Sequence, residues 1–487
     1  MLINDRWMPL LRPAFWVSVG GVAVGIAAGV LAGTQPLYLG LALAALMVSV
    51  YFFVDFERAV LGLLIVRSSL DIFSAQQLPA VLALGIDALT LLYSTVLLLT
   101  GRTVRTDGFW WFFAGWVMLQ GMWLILCALG GLGLSPSVLP DSIREWIRLF
   151  SWLMIYLLVM QLKDRIPPEK IISLLFISLI APIIAALMQA FLPVSMLPPL
   201  LIHHTDGLVL TLHTESRVQG TLGHPSTFAH YLLLFVGLTW WQLRQVQRRW
   251  PWLLLLCLLA FVYASTRSLL SIAMLGVFIL VLIAPRLNLP NVIGALLLLV
   301  VVLSLFGSTD FGRERFSQIA DTPLFNSKID ISRAILLSRS DGNSFNWRLA
   351  QWNSLLQAWK NFPILGYGLS TAMYLSPWHL VAHNDYVRAL VEEGIVGLVT
   401  FLAFLGAQGV RLIQLMRHAR GSAQRDLCLT LLAVLLGMAV GMLSDNVWIS
   451  TTLYFYWWTV FAIAGWNWND LRSLEEESGV RSQEKPT

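Results

Sequence analysis

A histidine with polar neighbours lies at the start of an apolar segment in the C-terminal third of the chain. The sequence His383-Asn384-Asp385-Tyr386 leads into VRALVEEGIVGLVTFL. Imidazole changes charge near neutral pH, so a histidine at this boundary can take a proton from a hydroxyl group as a general base. The alternative is that His383 is only a polar residue of a membrane interface.

Three arginines stand at similar boundaries. Arg217 opens RVQGTLGHPSTFAHYLLLF, Arg267 lies in Ser-Thr-Arg-Ser, and Arg348 lies in NWRLAQWNSLLQAWKNF, whose apolar residues follow helical spacing. Guanidinium groups are permanently charged and bind phosphate oxygens in pairs. Together with a base, they predict a site where a phosphorylated group leaves and a hydroxyl group attacks.

Each arginine also has a purely structural interpretation. Arg217 and Arg267 could anchor the ends of membrane segments, as boundary arginines often do. Arg348 could be the solvated residue of an amphipathic helix. Arg333 and Arg339 lie in the same loop as Arg348, so the choice of a second phosphate contact stays open.

Several residues around His383 can also be interpreted either as functional or as structural. Asp385 could orient His383 or cap the helix that follows, and capping is the simpler expectation. Glu392 and Glu393 are expected near the start of that helix, where its dipole favours anions. Gly394 and Gly397 are expected to be close-packing positions between membrane spans.

Other charged residues lie within apolar segments. Arg67 with Asp71, and Arg144 with Glu145 and Arg148, could brace the bundle as ion pairs or contact a substrate. A group of histidines matches no standard metal-ligand spacing, and we therefore predict no metal site; the group comprises His203, His204, His213, His224 and His230.

Composition defines the class of protein. The chain has 487 residues, 57% of them hydrophobic and 12% charged, with a mean hydropathy of +0.73. No soluble domain buries so much apolar surface, so we predict an all-α, polytopic membrane protein with about 12–14 transmembrane helices. The net charge of +5 reflects basic residues that orient the spans, and it does not indicate nucleic-acid binding.

The order of apolar and polar segments predicts four regions. They are a transmembrane bundle over 1–307 with an outer loop near 193–226, a loop subdomain over 308–390, C-terminal transmembrane helices over 391–466, and a disordered cytoplasmic tail over 467–487. Basic residues occupy alternate connections, which places both termini inside the cell. The candidate residues then gather on the outer face.

The motifs that carry these candidates resemble those of the O-antigen ligase and Wzy-type polysaccharide polymerase superfamily. The resemblance covers roughly residues 215–400 and rests on their order and spacing. The motifs are Arg217-x-x-Gly220-x-x-Gly223-x-Pro225, Ser265-Thr266-Arg267-Ser268, Arg348 with Trp352 before Gly366-Tyr367-Gly368, and His383-Asn384 with Gly394-x-x-Gly397.

This resemblance implies transfer of a glycan from an undecaprenyl-diphosphate donor, on the periplasmic face of a bacterial inner membrane. It implies His383 as the catalytic base and Arg217 and Arg348 as diphosphate contacts, with Arg267 and Asn384 as further substrate contacts. No cofactor and no metal are expected. The expected partners are the lipid-linked glycan, the bilayer and an acceptor, and the residues leave open whether a chain-length regulator also takes part.

Three functions compete. A polymerase joins repeat units of exopolysaccharide or O-antigen, a ligase places finished glycan on lipid A-core, and a transporter moves lipid-linked sugar. A transporter would show inverted repeats with broken helices at the membrane midplane, and the sequence has no matching halves. Between the other two we favour the polymerase, because the chain is long and a further hairpin at 427–466 follows the histidine motif.

Overall fold

The computed structural model describes residues 46–202, 217–286 and 344–468, together with isolated positions between 287 and 343. The predicted first span, the C-terminal tail, His203, His204, His213 and Arg339 lie outside the described residues. The same is true of most of the predicted subdomain before residue 344. By its contacts the chain divides into two units, 1–60 and 61–487, and every candidate residue belongs to the second.

The first half of the described chain consists of helices joined by short connections. They are α1 (Phe56–Val66), α2 (Leu78–Leu99), α3 (Gly108–Ala128), α4 (Leu139–Met160), α5 (Pro168–Leu175) and α6 (Ile180–Phe191). A 3₁₀ segment, Arg67–Gln76, extends α1, and another, Phe176–Leu179, joins α5 to α6. The side chain of Asp107 caps α3 by accepting a hydrogen bond from the Trp110 N–H.

The second half continues in the same way. Its helices are α7 (Pro225–Gln245), α8 (Trp250–Ser265), α9 (Leu269–Ile283), α10 (Ser344–Trp359), α11 (Ala372–Leu375), α12 (Asp385–His418), α13 (Ser422–Gly441) and α14 (Thr451–Ala464). Proline in the first turn of α7 and α8 suits a helix start, where its missing N–H has no partner to lose.

Within the described residues, six helical segments are long and apolar enough to cross a membrane. They are Phe56–Gln76, Leu78–Leu99, Gly108–Ala128, Pro168–Phe191, Asp385–His418 and Ser422–Gly441. The described residues form no β-strand. The prediction of an all-α, polytopic membrane protein is therefore confirmed, while the number of spans in the whole chain stays a prediction.

Helix α14 forms the centre of the bundle, and nearly all of its side chains are buried. Several polar groups inside the bundle are paired, as a low-dielectric interior favours. The Trp457 indole donates to Gln408 Oε1 at 2.9 Å. Near the opposite end of the bundle from His383, Asp107 Oδ2 accepts from the Tyr156 hydroxyl and from Arg411, both at 3.0 Å.

Helix α12 is interrupted at Gly394, whose φ of 69° lies in the left-handed region. The segment 363–368 runs alongside the interruption: Ile395 N–H donates to Pro363 O at 2.9 Å, and Gly368 N–H donates to Glu392 O at 2.6 Å. A side chain at Gly394 would overlap the backbone of Ile364. Gly394 thus packs against this segment of the loop, and the expectation of contact between two spans was wrong for it.

Candidate functional site

The candidate site is assembled from the ends of several helices. His383 precedes α12, and the loop between α13 and α14 lies beside it. The segment before α7 carries Arg217, and α10 carries Arg348. These elements are far apart in sequence, so the site exists only in the folded bundle.

His383 adopts a left-handed backbone conformation, with φ of 47°. This conformation is unusual for a residue with a side chain and is found most often where surrounding contacts impose it. Here the His383 N–H donates to Asn446 Oδ1 at 2.9 Å, and Asn446 Nδ2 lies 3.1 Å from the ring Nδ1. Asn446 therefore holds both the backbone and the ring, and the side chain keeps 18% of its surface exposed.

Asp445 is the acidic partner of this histidine. Its Oδ1 lies 3.8 Å from His383 Nδ1, and its Oδ2 lies 3.8 Å from Nε2 of the buried His230. Burial alone would raise the pKa of Asp445, but His383, His230, the Asn446 N–H and the charge of Arg348 hold that pKa well below its ordinary value. The carboxylate is charged at neutral pH and lies between two imidazoles.

Sequence reasoning missed Asp445 and Asn446. They lie more than fifty positions beyond His383, in the polar run Ser444-Asp445-Asn446 between two apolar helices. A charged residue between membrane segments is by default a functional candidate, and that signal was available. Its pairing with His383 was not, because nothing in the sequence specifies which helix ends meet.

Helix α10 closes the site from the side of the loop. The Trp352 indole donates to Ala382 O at 2.7 Å, and the Gln351 amide donates to Leu380 O and Val381 O at 2.9 and 3.0 Å. These bonds fix the residues that immediately precede His383. Trp347 presents its ring to that of His383 with 5.3 Å between centroids.

Arg348, on the same helix, belongs to this group of charges. Its guanidinium lies 5.8 Å from the centre of the Trp347 ring, and its charge contributes to the low pKa of Asp445. Arg333 is one of the isolated described positions between residues 287 and 343, and it is exposed. The charge of Arg348 thus acts on the carboxylate that faces the histidine, and its choice as the second phosphate contact stays a prediction.

Arg217 and Arg267 come from two motifs that form one structural unit. The Arg217 Nε donates to Thr266 O at 3.0 Å, and the Val218 N–H donates to Ser265 O at 3.2 Å. Arg267 follows in the turn between α8 and α9 with φ of 49°. The turn therefore fixes the orientation of the Arg217 guanidinium.

Gln189 supports the same segment from α6. Its Oε1 accepts the N–H groups of Gln219 and Gly220 at 3.0 and 2.8 Å, and its Nε2 donates to Gly220 O at 3.0 Å. Gly220 has φ of 57°, a conformation that a residue without a side chain adopts at little cost. Sequence analysis gave Gln189 no role.

His224 connects the arginine segment to the histidine. It caps α7 by accepting from the Ser226 N–H at 3.2 Å. The main effect on His224 is desolvation by the surrounding protein, which lowers the pKa of its imidazole to about 4 although part of the side chain is accessible. The charge of Asp445 raises this pKa, while Arg217, His230 and His383 lower it further. These mutual influences place Arg217 and His383 within electrostatic range of one imidazole.

The expected cap of α12 requires correction. Asn384, and not Asp385, caps the helix, because its Oδ1 accepts from the N–H groups of Tyr386 and Val387, both at 3.0 Å. The Asn384 Nδ2 donates to Leu443 O at 2.8 Å, so both ends of this side chain are engaged within the protein. Asp385 is fully buried, and its Oδ2 accepts from the Trp448 N–H at 2.8 Å.

Behind the site lies a buried ionic network that we call the Arg388 network: Arg388, Asp385, Glu392 and Glu145. The Arg388 guanidinium donates to Glu392 at 3.1 Å and to Asp385 at 3.4 Å, and lies 3.6 Å from Glu145. Glu392 also accepts from the N–H groups of Ser370 and Ala372, both at 3.0 Å. Glu392 and Glu393 lie about two turns inside α12, since the helix begins at Asp385; the expected position at its start was wrong.

The described residues contain no group of three or more His, Cys, Asp or Glu side chains arranged to hold a metal ion. The chemistry available at this site is that of an imidazole with a carboxylate behind it and guanidinium groups nearby. Such a group can accept a proton and stabilise negative charge that develops on a leaving group.

Fold and site together define a polytopic, all-α membrane protein with a histidine and arginine site at one end of its bundle. The family model described as O-Antigen ligase matches residues 252–402. The match confirms the resemblance to the O-antigen ligase and Wzy-type polymerase superfamily, and it supports ligase-type or polymerase-type function in general. The matched region contains Arg267, Arg348 and His383, while Arg217 and Asp445 lie outside it. No curated protein matches the chain.

Proposed function

We propose that this protein is a glycosyltransferase that moves a glycan from an undecaprenyl-diphosphate donor to a hydroxyl group of a sugar acceptor. The observation that supports it most directly is the placement of His383 against Asp445 and Asn446, with the charge of Arg348 acting on Asp445 and that of Arg217 acting on the nearby His224. The reaction takes place on the periplasmic face of a bacterial inner membrane, needs no metal and uses no cofactor.

In the proposed reaction, His383 accepts the proton of the acceptor hydroxyl while the hydroxyl oxygen bonds to the donor's anomeric carbon. The bond from that carbon to the diphosphate oxygen breaks, and the diphosphate leaves with its electron pair. Arg217 and Arg348 stabilise the negative charge on the leaving group. General base catalysis of this kind contributes about 10²–10⁴-fold in rate.

The position of the proton on His383 decides whether the ring can act as a base. For Nε2 to accept a proton, Nδ1 must carry the ring hydrogen and donate it to Asp445. In the structure Nδ1 lies 3.8 Å from Asp445 and 3.1 Å from Asn446 Nδ2. We propose that substrate binding shortens the distance to Asp445, since catalytic hydrogen bonds are often long before substrate is bound.

The acceptor separates two versions of this function. As a polymerase, the protein transfers the growing chain to the next lipid-linked repeat unit of an exopolysaccharide or O-antigen, and this is the version we favour. As a ligase, it transfers finished polymer to lipid A-core. The matching family model, described as O-Antigen ligase, is equally consistent with both versions.

The glycans of a deletion strain distinguish these versions. Lipopolysaccharide and secreted polysaccharide are resolved side by side by size, with the wild-type gene and the His383→Ala variant restored in parallel strains. Loss of long chains with single repeat units still on their acceptor identifies a polymerase. Accumulation of full-length polymer on the lipid diphosphate, with none on lipid A-core, identifies a ligase. A glycan profile equal to wild type in both the deletion strain and the His383→Ala strain would refute the proposed function.

A further inference from the structure

A cavity of about 520 Å³ lies between α2, α4 and the start of α14, beneath the 3₁₀ segment Arg67–Gln76. None of its lining residues belongs to the group around His383. Three of the lining residues are arginines, namely Arg67, Arg144 and Arg148. The proposed reaction assigns no role to the residues of this cavity.

The arginines are held in place by neighbouring side chains. Arg67 is 4% exposed, pairs with Asp71 and donates to Thr451 Oγ1 at 3.0 Å. Arg148 pairs with Glu145, and its guanidinium lies 5.5 Å from the centre of the Trp152 ring. The Nε of Arg148 is buried and makes no hydrogen bond within the described residues. Oriented guanidinium groups of this kind favour phosphate oxygens.

A buried carboxyl group lines the same cavity. Asp87 is 5% exposed, and its Oδ2 accepts from Ser151 Oγ at 2.5 Å. The other oxygen, Oδ1, has no hydrogen-bond partner within the described residues. An unsatisfied carboxyl oxygen inside a membrane bundle is costly, so a hydroxyl group of a bound molecule would be stabilised there.

The remaining lining is mainly apolar and indicates an amphipathic ligand. The apolar residues are Pro79, Ala80, Ala83, Leu84, Ile86, Ile147, Ile155 and Phe455, with Trp152 beside the polar end. A small inorganic anion needs no such wall. A molecule with a phosphate, a hydroxylated head and a hydrocarbon chain uses all three kinds of surface.

Direct contacts connect this cavity to the end of the bundle that carries His383. The Trp152 ring lies 5.0 Å from that of Trp448, whose N–H donates to Asp385. Glu145, the partner of Arg148, also lies 3.6 Å from Arg388 of α12. Ligands held at the two sites would therefore lie at the same end of the protein.

We propose that this cavity binds the acceptor as a phosphate-bearing, sugar-linked lipid. The phosphate contacts Arg67 and Arg148, a sugar hydroxyl donates to Asp87, and the hydrocarbon chain lies along the apolar wall. The role as acceptor rests on the proposed function, in which Arg217 and Arg348 hold the donor. A transferase with two lipid-linked substrates needs two such sites, and the structure offers two clusters of arginines.

The first experiment measures binding to the full-length protein in detergent by native mass spectrometry. The probes are a synthetic prenyl phosphate, the same prenol without phosphate, and inorganic phosphate. The test variant is Ala83→Trp, which fills the cavity, and the matched control is Ala88→Trp, an exposed alanine on the same helix outside the cavity.

Wild type and Ala88→Trp are expected to bind two prenyl phosphates, and Ala83→Trp to bind one. Even one lost charge-assisted hydrogen bond weakens binding about tenfold. Equal binding of prenyl phosphate to Ala83→Trp and Ala88→Trp would overturn the proposal. The proposal would also be overturned if the prenol without phosphate bound as tightly as the prenyl phosphate. It would be overturned as well if inorganic phosphate bound to the wild type and Ala83→Trp abolished that binding.

The second experiment follows transfer in membranes while the concentration of lipid-linked acceptor is varied. Ala83→Trp should raise the KM for acceptor about tenfold or more and leave the KM for donor near that of Ala88→Trp. An unchanged KM for acceptor would refute the acceptor role. Activity of His383→Ala equal to wild type would instead refute the proposed function, and the binding experiment would still decide whether the cavity holds a phosphate-bearing lipid.

Discussion

Two groups of charges lie next to each other at one end of the bundle, and they differ in how fully their members are paired. In the Arg388 network, the carboxylates surround one guanidinium, and backbone N–H groups complete the bonding of Glu392 and Asp385. Around His383, the imidazole and carboxylate are 3.8 Å apart, and neither ring nitrogen of His230 has a hydrogen-bond partner among the described residues.

The difference separates residues that brace the bundle from residues that can react. A saturated buried network leaves no group available to a substrate, and removing one member strands the others. A looser group can change its bonding when a substrate binds. Proximity in sequence misleads here, since Asp385, two positions after His383, belongs to the bracing network, and the distant Asp445 faces the ring.

The largest effect is expected from His383→Ala. Loss of the base should reduce transfer about 10²–10⁴-fold while expression and membrane insertion stay normal. The matched control is His379→Ala, because His379 is an exposed histidine of the same loop that also has a positive φ. Transfer by His383→Ala at the rate of His379→Ala would remove His383 from the reaction.

Arg388→Gln should act on stability and not on chemistry. It leaves Glu145, Asp385 and Glu392 buried without their common partner, which costs about 3–5 kcal/mol. Thermal unfolding of the purified protein in detergent measures this loss. The double variant Arg388→Gln with Glu392→Gln should recover part of it, because Glu392 pairs with Arg388, whereas Glu145 also pairs with Arg148. A normal melting temperature together with lost transfer would reverse the comparison, because Arg388 would then belong to the reacting group.

Arg217→Lys tests whether the donor contact depends on the geometry of guanidinium. Lysine keeps the charge but lacks paired N–H donors and cannot reproduce the bond from Nε to Thr266 O, so transfer should fall about tenfold to hundredfold. The comparison variant is Arg244→Lys, at the other end of α7, where Arg244 pairs with Asp426. Full activity of Arg217→Lys would indicate that this residue only anchors the segment.

Asp445→Asn sharpens the comparison by removing charge without changing size. Its effect on kcat should exceed that of Asp385→Asn, once both rates are corrected for the amount of folded protein. About tenfold is expected, since one charge-assisted interaction with His383 is lost. If the corrected rates are equal, the structural distinction between the two aspartates has no counterpart in catalysis.

The smallest effect is the pH dependence contributed by His224. Its pKa in the folded protein, about 4, is below the ordinary value of 6.5, so the unfolded chain binds a proton more strongly between these values. Stability should therefore rise as the pH increases from about 4 to 6.5, and His224→Gln should flatten this rise. Melting temperatures measured across that range test it, and an unchanged slope would show that the surroundings of His224 do not set its pKa.

Much of the architecture was predictable from the sequence, because long apolar segments have few folds available in a membrane. Local patterns also identified Arg217, Arg348 and His383. The charge of Arg348 acts on Asp445, which faces His383, and the charges of Arg217 and His383 both act on His224. Their roles stay predictions. The helix over NWRLAQWNSLLQAW was expected from its spacing, and α10 is found there.

What the sequence could not provide are contacts between distant segments. The pairing of His383 with Asn446, the support of Gly220 by Gln189 and the approach of Glu145 to Arg388 all depend on which helices are neighbours. Helix caps and buried ion pairs can both use aspartate, so spacing alone did not show that Asn384 caps α12 while Asp385 pairs with Arg388.

The contacts of the Asn446 side chain with the backbone and ring of His383 have a consequence for biosynthesis. A ribosome completes the whole region that matches the family model, residues 252–402, before it reaches the residues that fix the histidine. Until α13 and the start of α14 enter the membrane, His383 lacks the partner that imposes its left-handed backbone. A nascent chain arrested before residue 445 would therefore carry the histidine that we propose as the base but remain inactive, and activity would begin only as α13 and α14 insert.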